Sequence, residues 1–174
     1  MKLYSIRHAE SHGNTKGKII STMDFELTEK GIAQSLRIGQ RLCAELEGKP
    51  VSAYCSCLAR ARQTLQEILR CIGQQDAVIT QSHCLKEMDD AHSIIVVSHG
   101  ITLRILTNLL LNRPDSDVND LNWMETTALT ELVREKPGHT YRIVRLNDYS
   151  HLKELKTDGY ENWGLFAKHD YLKL

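Results

Sequence analysis

The chain has no surplus of charge. Its 22 Lys and Arg are matched by 22 Asp and Glu, so no overall field would hold it on nucleic acid or a membrane surface, and any anion must be gripped locally. Long apolar runs are missing as well: Ile105 to Leu111 is interrupted by Thr107 and Asn108, well short of the roughly 18 residues of a spanning helix. Met1-Lys2-Leu3 leads straight into a strand-like run, without the basic, apolar and small-residue segments of a secretion signal. A cytoplasmic protein with neither nucleic acid nor membrane as partner is expected. The cysteines are few and odd in number (five), without framework spacing, which predicts reduced thiols rather than disulfides. Cys55-x-Cys57 with His83-Cys84 lacks the gap of about two to four residues usual in structural zinc sites, so no metal is expected. Repeats, low-complexity tracts and linkers are lacking too, and the 174 residues read as one domain, 1–174.

What is present is an alternation of strand-like and helix-like stretches. Lys2 to Ser11 starts apolar, stops at Arg7-His8 and breaks into polar residues, the pattern of a buried strand that delivers chemistry at its carboxyl end. A loop follows over His12 to Glu26. Thr28 predicts an N-cap with Glu29 in the first turn, and Ile32, Leu36, Gly39, Cys43 and Leu46 predict the inner helix face, ended by Gly48 and Pro50. Val51 to Cys55 is a second strand. Ser56 to Ile72 carries Leu58, Ala61, Leu65, Ile68, Leu69 and Ile72 at helical spacing and closes at Gly73. Ala77 to Gln81 and the uniformly apolar Ile94 to Val97 read as strands three and four. Gly100 to Leu111 is a helix, and Ala128 to Val133 with Tyr141 to Leu146 an antiparallel pair. The alternation predicts a three-layer α/β/α domain around a mostly parallel sheet.

In such sheets ligands sit beyond the carboxyl ends of the strands. That rule gathers Arg7-His8, Ser56 to Arg60 and Ser98-His99-Gly100 at one crevice. Arg7 and Arg60 offer planar, permanently charged donors to phosphate oxygens. A neutral His8 can attack phosphorus in line and split hydrolysis into two displacements. His99, if charged, would stabilise the equatorial oxygens, and Gly100 puts backbone N–H groups near the same anion. The departing alkoxide needs a proton, for which Glu87, close to Asp89 and Asp90, is the first choice. This chemistry asks for no cofactor.

With those residues in hand, the chain resembles the histidine phosphatase superfamily in its phosphoglycerate mutase-like branch. Arg7-His8-Ala9-Glu10-Ser11 with Asn14 is similar to its R-H-G-E-S-x-x-N signature, with alanine for the usual glycine. Leu27-Thr28-x-x-Gly31, Ser56-x-Leu58-x-Arg60-Ala61-x-Gln63-Thr64, Leu85-x-Glu87 and Val97-Ser98-His99-Gly100 match further motifs in order, and Asn147-Asp148 with His151-Leu152 looks like the usual ending. The resemblance implies a six-stranded sheet with one antiparallel strand. It implies that His8 is the phosphorylated nucleophile, that Arg7, Arg60 and His99 complete the phosphate pocket, and that Glu87 is the acid and later the base. Asn14, Ser21 and Gly100 are the candidate substrate contacts.

Two departures bear on function. Ile101 stands where such mutases commonly carry Asn, and their Thr-Gly near Ile20-Ser21 is absent. Between the L-x-E segment and the second-histidine strand the family usually inserts several tens of residues, whereas here Glu87 is followed only by Met88 to His92. An open crevice would suit varied phosphomonoesters, and an uncovered sheet face would favour a homodimer or marginal stability. The expected function is a metal-independent phosphatase working through phosphohistidine. The alternatives are a mutase-like phosphotransferase, or a phosphate-binding module if the short stretch misplaces Glu87. The aromatic carboxyl tail, with Tyr160, Trp163, Phe166 and Tyr171, is expected either to pack over the core or to line the substrate entrance.

Overall fold

The computed structural model describes residues 1–16, 23–81, 93–121, 123–134 and 140–157. Among them the chain forms β1 (Lys2–Arg7), α1 (Glu29–Leu46), β2 (Ser52–Cys55), α2 (Ala59–Cys71), β3 (Ile79–Gln81), β4 (Ser93–Ser98), α3 (Gly100–Leu110), β5 (Leu129–Arg134) and β6 (Tyr141–Asp148). The strands make one sheet of six in the order β3-β2-β4-β1-β5-β6. β1, β2, β3 and β4 run parallel, and β5 lies antiparallel to both β1 and β6. One strand of six is therefore reversed, as expected from the resemblance. β1 and β4 are buried almost throughout, in keeping with their position between neighbours on both sides and helices above and below.

Side chains alternate across the sheet and build a core on each face. On one face α1 and α2 set Ile38, Leu42, Leu65, Ile68 and Leu69 against Tyr4, Ile6, Ile95 and Val97. On the other, Leu103 of α3 packs with Leu3, Ile94, Val96 and Leu132. Each fully buried leucine or isoleucine contributes roughly 1.5–3 kcal/mol. These are the three predicted layers. Among the described residues, the second face is thinly covered over β2 and β3, where a groove of about 370 Å³ is lined by Pro50, Tyr54, Val78 and Thr80.

The start of α1 follows its sequence signal: the Thr28 side chain accepts the Gly31 N–H at 3.0 Å. Its inner face does so in part, since Gly39 and Leu46 are buried as predicted and Leu36 and Cys43 are half-buried. Ile32 is 44% exposed, whereas Gly31, Gln34, Ser35, Ile38, Leu42 and Leu46 are buried. The helix is rotated toward polar residues because its first turns pack on the backbone after β1. Thr28 N–H donates to the Glu10 carbonyl at 3.1 Å, and the Gln34 carboxamide oxygen accepts from Glu10 N–H at 2.9 Å. Gly31 permits this approach, since a Cβ there would stand 1.9 Å from the Glu10 oxygen. α2 begins at Ala59 rather than Ser56, because Leu58 is extended and serves as its N-cap. β3 starts two residues later than expected, after a turn at 75–77.

Candidate active site

Parallel pairing aligns the carboxyl ends of β1 and β4, with Arg7 opposite Ser98, and His8 N–H donates to the Ser98 carbonyl at 2.9 Å. β2 joins from the other side of β4, and Ser56 N–H donates to the Val97 carbonyl at 3.1 Å. Arg7, His8, Ser56 and His99 are thus delivered to one end of the sheet, and Arg60 is added from the first turn of α2. Thr64 ties the parts together. Its hydroxyl accepts Ala9 N–H at 3.0 Å and donates to the Arg60 carbonyl at 2.7 Å.

The His8 ring is 5% exposed. Its Nδ1 lies 2.7 Å from the Ala9 carbonyl, an oxygen that can only accept, so the proton sits on Nδ1 and Nε2 carries the lone pair. Arg60 Nε donates to that Nε2 at 3.3 Å, its NH1 to the Met23 carbonyl at 2.9 Å, and its NH2 faces His99 Nδ1 at 3.5 Å. The His8 and His99 rings meet edge to face with centroids 5.1 Å apart. Arg7 NH1 donates to the Met124 carbonyl, and its guanidinium lies 5.5 Å from the centre of the Trp123 ring. The four side chains that sequence reasoning assembled, Arg7, His8, Arg60 and His99, do converge.

Burial and the neighbouring guanidinium charges favour the neutral form of both imidazoles. Burial, reinforced by Arg7 and His99, holds His8 well below the ordinary histidine range. Burial and the charges of Arg60 and Arg7 bring His99 down to about 4. A charged His99 is therefore opposed by burial and by Arg60 and Arg7. Burial also lowers Arg60, which Asp24 opposes and Arg7 assists. Such a pocket offers a neutral nucleophilic nitrogen flanked by guanidinium donors, and an entering dianion would relieve their mutual repulsion.

Gly100 opens α3 directly after His99, where an added Cβ would stand 3.5 Å from Trp123 and 3.8 Å from Arg7. Asn14 closes a turn, its carboxamide oxygen accepting from Ser11 N–H at 2.9 Å and Ser11 Oγ at 2.8 Å. Ser21 and Glu87 lie outside the described residues, as do Cys84 and the aromatic tail residues. Among the described residues no cluster of three or more His, Cys, Asp or Glu is placed to hold a metal.

Sequence reasoning gave no role in the site to four contributors, Ser56, Trp123, Met124 and Asn147. Ser56 Oγ is 2.8 Å from His99 Nε2, although Ser56 was visible as the first residue of its motif. Trp123 and the Met124 carbonyl back Arg7 from a segment without any regular pattern. Asn147 pins that segment, donating from Nδ2 to the Trp123 carbonyl and accepting Glu125 N–H on Oδ1, both at 3.1 Å. The carboxyl motif around Asn147 and His151 thus supports Arg7 from behind.

The pattern of the histidine phosphatase superfamily (branch 1) matches residues 3–90 and 78–149, two segments that overlap at the short stretch around Glu87. Among curated relatives, a 2,3-bisphosphoglycerate-dependent phosphoglycerate mutase of Bartonella tribocorum is 40% identical over 85 residues, 49% of this chain and 41% of that one. Its counterpart in Mesorhizobium japonicum is 36% identical over 87 residues, 50% and 42% of the two chains. The matched part spans about two fifths of those relatives' length. Among solved structures, a phosphoserine phosphatase of Entamoeba histolytica in complex with 3-phosphoglyceric acid superposes with a TM-score of 0.69 at 21% identity, over 87% of this chain and 98% of that one. An alpha-ribazole phosphatase of Shigella flexneri gives 0.69 at 18% identity, over 85% and 96%. At such identities the likeness is one of fold.

Proposed function

The chain belongs to the histidine phosphatase superfamily, branch 1, and from that premise we propose that it hydrolyses phosphomonoesters through a phosphohistidine on His8. The observation that carries this reading is the His8–Ala9 contact, which leaves Nε2 as the free nitrogen between Arg60 and His99. On substrate entry the Arg60 Nε–H turns from that nitrogen to a phosphate oxygen, and Arg7 grips another. Nε2 attacks phosphorus as the P–O bond to the alcohol breaks, and the alkoxide takes its proton from Glu87. Water then attacks the phosphohistidine and gives a proton to Glu87. The P–N bond breaks, inorganic phosphate leaves and Nε2 recovers its lone pair. The guanidinium groups meet the charge spread over the equatorial oxygens.

Hydrolysis is favoured over transfer by Ile101 in place of asparagine and by the shortness of the stretch after Glu87, which lacks the length for the family's usual cap parts. A phosphotransferase reading draws support from the names of the curated relatives. A non-catalytic phosphate-binding module is the reading favoured by the eleven residues, 82–92, that join β3 to β4 across β2, since a parallel crossover ordinarily takes about a dozen or more. Acid-labile phosphoenzyme trapping on wild type and His8→Ala, with a phosphomonoester panel run with and without chelator, separates them. The expected result is a trapped phosphoenzyme in wild type alone, with phosphate released to water and turnover indifferent to chelator. Phosphate passed to an acceptor would establish the transferase. Equal inactivity of both proteins, with phosphate still bound by wild type, would establish the binding module.

A further inference from the structure

In the empty pocket the tautomer of His99 is set by its neighbours. Arg60 NH2, at 3.5 Å from Nδ1, can only donate. Nδ1 is therefore the acceptor, and the ring proton sits on Nε2, which donates it to Ser56 Oγ at 2.8 Å. In this state His99 shows the pocket a lone pair, the wrong polarity for an anionic oxygen. It can become a donor in two ways. It can take a second proton, or it can move its one proton from Nε2 to Nδ1. The first is opposed by the charged groups that face it, Arg7 from β1 and Arg60 from α2, and by burial. The second requires that the group beyond Nε2 be able to donate as well as accept.

We propose that Ser56 is a positioning residue that lets His99 donate to a phosphoryl oxygen while remaining neutral. This rests on the phosphatase reading of the same pocket. A carbonyl beyond Nε2 could only accept, and would trap the Nε2–H form. A hydroxyl does either by rotating its hydrogen. Ser56 is held for the purpose: its own N–H is anchored on the Val97 carbonyl at 3.1 Å, two residues before His99, and Leu58 N–H approaches Oγ at 3.4 Å. When phosphate enters, Nδ1 takes a proton from water or from the entering monoanion, and Nε2 returns one to water. The ring's proton count is unchanged, and the Ser56 hydroxyl hydrogen turns to Nε2. No P–O bond of the substrate is touched in this step.

The test uses the full chain labelled with 15N on histidine, with inorganic phosphate and orthovanadate as probes, in wild type, Ser56→Ala and Ser56→Thr. At pH 7.5 the wild-type complex is expected to show His99 as the neutral Nδ1–H form, the empty protein as Nε2–H. Ser56→Ala is expected to give an imidazolium or to retain Nε2–H, and Ser56→Thr to restore the wild-type pattern. In turnover, kcat/KM of Ser56→Ala should fall tenfold or more at pH 8 and much less at pH 6, an alkaline loss that a merely structural role would not produce. A wild-type complex with an imidazolium His99, or a Ser56→Ala spectrum identical to wild type, overturns the proposal. The spectra need no turnover, so an inactive wild type would remove the phosphatase reading while leaving the role of Ser56 decided by the ring.

Discussion

Lowering the pH from 7 to 5 should destabilise the protein through its buried imidazoles. His99 and His151 are both held at about 4, each chiefly by burial, with Arg60 and Arg7 adding to it at His99 and Arg41 at His151. His8 is also held well below the ordinary histidine range, chiefly by burial. An unfolded histidine titrates near 6.5. The sign follows from linkage: below that value the unfolded chain takes up protons that the folded one refuses. The stability is whole above about 6.5, is lost as pH falls, and is gone by about 4. At pH 5 a shift of this size corresponds to about 2 kcal/mol per group, reduced somewhat by the partial solvent access of His99 and His151. His99 and His151 together remove roughly 3–4 kcal/mol, a large share of the 5–15 kcal/mol typical of a domain, and His8 acts in the same direction. Denaturant unfolding at half-unit pH steps measures it, and His151→Gln isolates one member. His151 Nε2 meets Thr127 Oγ1 at 3.0 Å and its Nδ1 meets Arg41 NH1 at 3.3 Å, so the variant will be weaker at pH 7 as well. Its slope between pH 6 and 5 should nevertheless be shallower by up to about 1.4 kcal/mol per pH unit. A flat stability between pH 7 and 5, or an unchanged slope in His151→Gln, would refute the reasoning.

Gly31→Ala should destabilise, although alanine is the better helix former by about 1 kcal/mol, because its Cβ would press on the Glu10 carbonyl. Relief of that overlap strains the bonds from Thr28 and Gln34 to the Glu10 backbone, for a net cost of about 2–3 kcal/mol and a fall in Tm of roughly 5–10 °C in a scanning experiment. An unchanged Tm would mean that α1 can retreat freely. Asn147→Gly keeps a residue suited to the positive φ of 48° at that position while deleting both side-chain bonds to the 123–125 segment. Phosphate affinity should fall about tenfold with a smaller loss of stability, read by isothermal titration, and an unaltered affinity would show that Arg7 is held without it.

The reasons for success and failure at particular residues are physical. Thr28 could be read as a cap because its hydroxyl acts on a neighbour three residues away, and β4 as a central strand because Ile94 to Val97 is apolar on both faces. The inner face of the first turns of α1 could not. Gln34 and Ser35 are buried to satisfy the backbone after β1, and apolar periodicity has no term for a polar residue buried against a peptide group. The pocket was legible as far as strand ends go, since the topology of a parallel sheet dictates that Arg7 and His99 meet. Trp123, Met124 and Asn147 were not, because they act on Arg7 through a non-periodic segment whose place is fixed only when β5 and β6 have paired.

The place of β1 in the sheet has a consequence for synthesis. The first of these six strands to be synthesised lies between β4 and β5, whose residues begin at Ser93 and Leu129. At roughly 5–20 residues per second, about 6–25 s separate Arg7 from its last partner strand. Until β5 arrives, β1 is paired on one side only, by β4, and Leu3 lacks Leu132 and Arg7 lacks the Met124 carbonyl. The core around β1 is therefore expected to close late, and a nascent chain halted before β5 should be held by general chaperones rather than by phosphate.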